Sequence, residues 1–364
     1  MPCGDLLHAA MHSSIQSNFG VGVTTAAARV IHCMCHDPRI LLKINTLYSE
    51  KPIVRASDDY YPEDDNSHAN HIVDCAFNSL LISQVGVPDW DMFTTDSKFS
   101  KLHAMSRSVS GGPVYFSDKV SADVDAAILR RAISGGSCEG PLLPSRSSLF
   151  TARDRSLLRL QNVNRLNGVI FACNIYGYGW DDDKLKYIQT DAGAHRTSIT
   201  SSVLPSMVDA FREIEAPFVV WMGEGGGKDF VLLKGKDDEI EVTLGHLQGQ
   251  ILTVCPTFDG GRFAAIGFVD FFNVGGRVLS VKKLENLYRV GVKRGRDGGI
   301  FAVAVRNRDV KAVTDSEGRQ LDFEAQEGNE CAEEAAGMVL YKISVVEGPE
   351  RLEEGEDFHV DIHV

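Results

Sequence analysis

Two hydrophobic periods alternate over the first 150 residues. Short apolar runs rich in β-formers lie at Arg29–Cys35, Pro52–Ala56, Ser83–Val87 and Gly112–Phe116, and each predicts a short buried strand. Helical patterns surround them: Leu7, Ala10, Met11 and Ile15 before the first run, then Ile72, Val73, Ala76, Phe77, Leu80 and Leu81 before the third, with Ser67 as a cap. A third pattern holds Phe99, Leu102 and Met105, and a fourth holds Val124, Ala127 and Ile128 behind a Ser121 cap. The stretch from Asp37 to Tyr48 gives no clear reading. Strands recurring about every thirty residues predict a parallel sheet built from right-handed β-α crossovers.

Beyond residue 150 the pattern changes to short apolar runs separated by Gly- and Asp-rich turns. Gly168–Cys173, Phe218–Trp221, Phe230–Leu233 and Gly299–Val305 are examples, and they predict an antiparallel sandwich or barrel. The expected fold class is therefore α/β plus all-β, with one domain over 1–149 and a β-sandwich over 150–364. The acidic stretch Glu347–Asp357 reads as a solvated connection into a last strand, Phe358–Val364.

Composition changes the picture mainly by exclusion. A formal charge of −13 with scattered Lys and Arg argues against a general affinity for nucleic acid or anionic membrane. No secretory signal or membrane-length apolar run is legible, and Cys33, Cys35 and Cys75 read as buried free thiols, so a cytosolic location is expected.

In a parallel β/α layout reacting groups gather at the C-terminal ends of strands. Arg55-Ala56-Ser57-Asp58-Asp59-Tyr60-Tyr61-Pro62 runs a buried strand into paired carboxylates, one of which would serve as a general acid; the alternative is an acidic surface loop continued by Glu63, Asp64 and Asp65. Val87-Pro88-Asp89-Trp90-Asp91-Met92-Phe93 combines an aromatic plane with hydrogen-bonding carboxylates, as sugar sites do; the alternative is a Pro-led turn with Trp90 and Phe93 in the core. Ser110-Gly111-Gly112-Pro113-Val114-Tyr115-Phe116-Ser117-Asp118 would pack closely through its glycines and deliver Asp118 to the same mouth. Cys33-Met34-Cys35-His36 lacks a second Cys pair at ligand spacing and reads as a buried strand, not a metal site; His68 and His71 read as ordinary helix-start residues. Gly223–Lys228 fails the phosphate-loop spacing and reads as a hairpin turn.

Taken in order, these motifs resemble the raffinose synthase and seed imbibition protein family. Ser67-His68, Cys33–His36, Gly168–Asn174 and Ala265–Asn273 are further matches, and the likeness thins between Asp181 and Gly260 and over the last sixty residues. The resemblance implies retaining α-galactosidase-like chemistry without a cofactor or metal, acting on α-galactosides such as raffinose, galactinol or melibiose, by hydrolysis or galactosyl transfer. It also implies the C-terminal half of an eight-stranded β/α barrel followed by a sandwich. The acid/base would fall on Asp58, with Asp59 as second choice, and Arg55, Asp89, Trp90 and Asp91 would line the sugar pocket.

The family's attacking Asp sits in a Lys-x-Asp motif on the strand before the helix predicted at residues 5–18, and none stands ahead of it here. A shortened, inactive chain is therefore expected, since retaining hydrolysis needs two carboxylates about 5–5.5 Å apart. Without its neighbour's charge the Asp58 carboxyl would also become more acidic and a poorer proton donor. Four open-edged parallel strands would further favour self-association. A noncatalytic sugar- or partner-binding remnant is the alternative.

Overall fold

The structure, a computed structural model, describes residues 3–19, 30–47, 51–120, 123–148, 155–223, 229–295, 297–306, 310–327, 337–345 and 357–364. The N-terminal part alternates helices and short strands: α1 (Cys3–Phe19), β1 (Ile31–His32), α2 (Pro38–Leu47), β2 (Ile53–Arg55), α3 (Ser67–Val85), β3 (Val87–Asp89), α4 (Ser100–Ser108) and α5 (Ala126–Ile133). The three strands form one parallel sheet in the order β1-β2-β3, with Arg55 level with Asp89.

Several expectations shift. Ser83–Val85 belongs to α3, so the third strand begins only at Val87. Gly86 ends the helix by donating its N–H to Ile82 O, 2.7 Å away, and any Cβ there would meet Pro52 O at 2.7 Å, so helix end and β2 approach closely. Gly112–Phe116 does not extend the sheet; it makes one isolated parallel bridge, Phe93 to Phe116. Its glycines do pack tightly, since a Cβ on Gly112 would lie 2.3 Å from Pro88 O and Gly111 has φ +76°. The unread stretch after Asp37 is the helix α2.

The α3 stripe is rotated from the predicted one. It buries His68, His71, Ile72, Cys75, Ala76, Ser79 and Ile82, and leaves Leu80 and Leu81 exposed. Ser67 does not cap α3 in the usual way; its Oγ donates to Asp64 O at 2.8 Å and to Tyr61 O at 3.2 Å. In α5 the cap is Asp125, whose carboxylate accepts from the N–H groups of Ala127 and Ile128 at 3.0 Å each. Ser121 lies outside the described residues.

After residue 140 the architecture is antiparallel. A six-stranded sheet contains Leu143–Pro144, Leu158–Val163, Gly168–Cys173, Gly249–Pro256, Phe218–Trp221 and Phe230–Leu233, all in antiparallel pairs. One face packs on α3 and α4 through Leu158, Leu160, Val169, Phe171 and Ile251, against Trp90, Phe93, Leu102 and Met105. Two four-stranded sheets then enclose a second core of Phe263, Phe268, Tyr288, Phe301, Val303, Tyr341 and Val360. The last strand is Asp357–His363. Trp221 and Phe230 are paired as a hairpin requires, though residues 224–228 of its turn lie outside the described residues, as do 346–356 of the acidic stretch. No closed barrel is present among the described residues. No described helix is long and apolar enough to cross a membrane.

Candidate active site

At the C-terminal ends of β2 and β3 a single guanidinium gathers three carboxylates. Arg55 Nε donates to Asp89 Oδ2 at 2.9 Å, Nη2 lies 2.8 Å from Asp91 Oδ1, and Nη1 reaches Asp59 Oδ1 at 3.2 Å. Parallel register puts Arg55 beside Asp89, and Asp91, two residues past the end of β3, turns to the same guanidinium. Asp91 holds a left-handed backbone, φ +62°, and is fixed by Tyr60 N–H at 2.8 Å and Met92 N–H at 2.7 Å. Tyr115 O–H donates to Asp89 Oδ2 at 2.9 Å. Burial alone would lower the affinity of Arg55 for its proton, but the hydrogen bond to Asp89 and the charge of Asp91 outweigh it and raise it. Burial, helped by Asp89 and Asp91, also holds the Tyr115 phenol protonated far above its ordinary range.

Asp58 faces away from this hub, its side chain 42% exposed and that of Asp59 71%. Tyr187 O–H, from the hairpin strand Lys186–Gln189, donates to Asp58 Oδ2, while His71 Nδ1 lies 3.9 Å from Oδ1. Half-buried Asp74, one turn along α3 from His71, is near enough for its carboxyl to be pushed up by burial and by the charge of Asp58.

Beneath Asp58 lies a buried polar cluster. Arg107 of α4, 0% exposed, donates through Nη2 to His71 Nε2 at 2.9 Å and to Trp90 O at 2.7 Å, and Nη1 lies 2.8 Å from His103 Nδ1. A guanidinium has no acceptor, so each neutral imidazole must offer it a lone pair. That places the His103 proton on Nε2, which donates to His68 Nδ1 at 2.8 Å, and the His71 proton on Nδ1, facing Asp58. Burial opposes a second proton on His71, but Cys75 and Asp58 outweigh it and raise the ring to about 9. His71 Nε2 lies 2.9 Å from Arg107 Nη2 and also 3.2 Å from Trp90 O, and both the neutral ring that accepts from Arg107 and the imidazolium turn an Nδ1–H toward Asp58. Burial pushes His68 down to about 4 and His103 well below its ordinary value. Tyr60 packs edge-on against all three rings, with its hydroxyl buried and without a hydrogen-bond partner.

Of the expected site residues, Arg55, Asp59, Asp89 and Asp91 come together and Asp58 lies at an open surface beside them. Trp90 is 0% exposed and sits in the core with its carbonyl bound by Arg107, so its ring offers no free face to a ligand. Asp118 binds Thr95 through both oxygens at 2.6 Å instead of joining the Arg55 group. Cys35 is buried but Cys33 is exposed, since β1 ends at His32 and Met34 turns with φ +57°. Sequence reasoning missed Asp74, His103, Arg107 and Tyr187. Spacing was the available signal for one of them, because His71 and Asp74 are three apart on a helix. Among the described residues no three His, Cys, Asp or Glu gather in a metal-holding group.

Residues 5–332 match the family described as raffinose synthase or seed imbibition protein Sip1. The chain is 31% identical over 341 residues to a probable galactinol–sucrose galactosyltransferase 1 of Arabidopsis thaliana, covering 88% of this chain and 43% of that protein. It is 29% identical to stachyose synthase of Pisum sativum, covering 78% of this chain and 36% of that protein. The chain thus spans less than half the length of these curated relatives. A crystal structure of α-galactosidase I from Mortierella vinacea overlaps 60% of this chain and 63% of its own at 10% identity, with a TM-score of 0.40. On the family match and the Arabidopsis identity together, the chain belongs to the raffinose synthase or seed imbibition protein family.

Proposed function

We propose that this site is the proton-donor side of a centre that handles α-galactosides, with Asp58 as acid/base and Asp59 as second choice. The observation that carries the reading is the position of Asp58: an open carboxyl at the end of a parallel strand, held by Tyr187 O–H and faced by the His71 Nδ1–H. In retaining chemistry such a group protonates the leaving oxygen and later deprotonates the incoming water or sugar hydroxyl. The relatives' names support galactinol as donor and sucrose as acceptor. Arg55, Asp89 and Asp91 fix the two strand ends so that the loop bearing Asp58 and Asp59 keeps one geometry. We read the segment 1–149 as part of a β/α barrel and 150–364 as the sandwich-bearing domain.

No described residue is assigned the attack on the anomeric carbon; Asp74, which shares the field of Asp58, lies half-buried on a helix. The chain on its own should therefore bind α-galactosides without turning them over. The test is release of nitrophenol from a nitrophenyl α-galactoside beside calorimetry with methyl α-galactoside. Saturable binding with no release fits; release that disappears in Asp58→Asn would show that a nucleophile is present after all, and absence of binding would remove the galactoside reading.

A further inference from the structure

We propose that the hairpin Tyr178–Gln189, together with Tyr61, forms an aromatic subsite beside Asp58 for the sugar ring on the leaving or accepting side of the glycosidic oxygen. The proposal rests on the reading of Asp58 given above. Strands Tyr178–Asp181 and Lys186–Gln189 pair antiparallel with Trp180 directly opposite Tyr187, which brings their rings to 5.0 Å between centroids at 70°. Tyr61, from the loop that carries Asp58, lies 6.2 Å from Tyr187. Three rings from two distant parts of the chain thus meet at one place.

These rings are unusually open. Trp180 is 47% exposed and Tyr61 45%, whereas Trp90 and Trp221 are 0% and 6%. The hairpin is well fixed: Asp181 accepts from Lys184 N–H at 3.0 Å and Lys184 Nζ at 2.8 Å, and Thr190 N–H binds Gly177 O at 2.8 Å. Tyr187 O–H reaches Asp58 itself, so the aromatic surface and the candidate proton donor are one hydrogen bond apart.

The chemistry of the surroundings selects the occupant. A pyranose offers one face of C–H groups that stack on an aromatic plane and an edge of hydroxyls that donate to carboxylates. Asp58 and Asp59 stand at one end of the rings, and the hairpin turn sets Asp182 and Asp183 beside Lys184 and Lys186, so the surroundings have no strong net charge and suit a neutral saccharide. A ring stacked here would hold the oxygen next to its anomeric partner close to Asp58, so donor and acceptor preference would be set partly by Trp180 and Tyr61.

The test is a pair of calorimetric titrations of the purified chain, with raffinose, which carries a second and third ring, and with methyl α-galactoside, which does not. Trp180→Ala should weaken raffinose about five- to tenfold and change methyl α-galactoside by less than about twofold. Without any substitution, raffinose but not methyl α-galactoside should protect the exposed tryptophan from acrylamide quenching. Tyr61→Ala should repeat the selective loss. Equal loss for both sugars, no loss for raffinose, or an unprotected tryptophan overturns the subsite; if methyl α-galactoside still binds, the reading of Asp58 survives alone. Failure of both sugars to bind the unsubstituted chain overturns both.

Discussion

Arg107 Nη2 lies 2.9 Å from His71 Nε2 inside a fully buried cluster, and in the neutral ring this contact puts the His71 proton on Nδ1. The same guanidinium sets the tautomer of His103, and through it that of His68. The consequence at the surface is an N–H, not a lone pair, turned toward Asp58.

Arg107→Met should therefore be costly. It strips a buried donor from the His71 and His103 rings and from the Trp90 carbonyl, and the expected loss is about 3–5 kcal/mol of stability, read as a lower urea midpoint. Arg107→Lys supplies fewer donors and should recover only part of it. A midpoint unchanged in Arg107→Met would remove the cluster from the account.

The histidines make stability depend on pH. His68 is held down to about 4 in the folded chain against 6.5 when free, so the unfolded chain takes up the proton first as pH falls. Stability from this group is complete above pH 6.5 and declines between 6.5 and about 4, by up to about 3 kcal/mol. His68→Asn should flatten that part of the stability profile; identical slopes for both proteins would contradict the assignment.

Asp74 works in the opposite direction. Burial and Asp58 raise its carboxyl above the free value of 3.8, so its contribution is present below 3.8 and lost as pH rises through the folded value. Asp74→Asn should be the more stable protein at pH 7, by about 1 kcal/mol or less, with the difference closing near pH 3. Thermal midpoints at both pH values check this.

Arg55→Ala removes the guanidinium that Asp59, Asp89 and Asp91 share. Two of those carboxylates are buried, so the expected cost is about 3–5 kcal/mol. Arg55→Lys keeps the charge but not the three-way fork, and should fall between the two in a denaturation midpoint.

How far the sequence could carry the fold is visible at particular residues. The buried strand ending in Arg55-Ala56-Ser57-Asp58-Asp59 was legible, because an apolar run meeting paired carboxylates is a local pattern. The resemblance put Trp90 in the sugar pocket and the residues alone left a core position open; Asp89 and Asp91 both turn to Arg55, while Trp90 between them packs into the core. Ser83–Val87 combines β-branched residues with glycine and reads as a strand, but packing of Ile82 and Ser83 keeps the helix running to Val85. Arg107 was invisible, since an arginine at helical spacing reads as surface until tertiary contacts bury it. Tyr187 meets Asp58 from 129 residues away, a pairing no local pattern encodes.

The assignment of Asp58 to the galactoside site is tested most directly by the 13C resonance of its side-chain carboxyl, identified by its loss in Asp58→Asn. On adding methyl α-galactoside to the purified chain, that resonance should shift saturably. A carboxyl signal that stays in place while the sugar binds would put the ligand elsewhere and contradict the assignment.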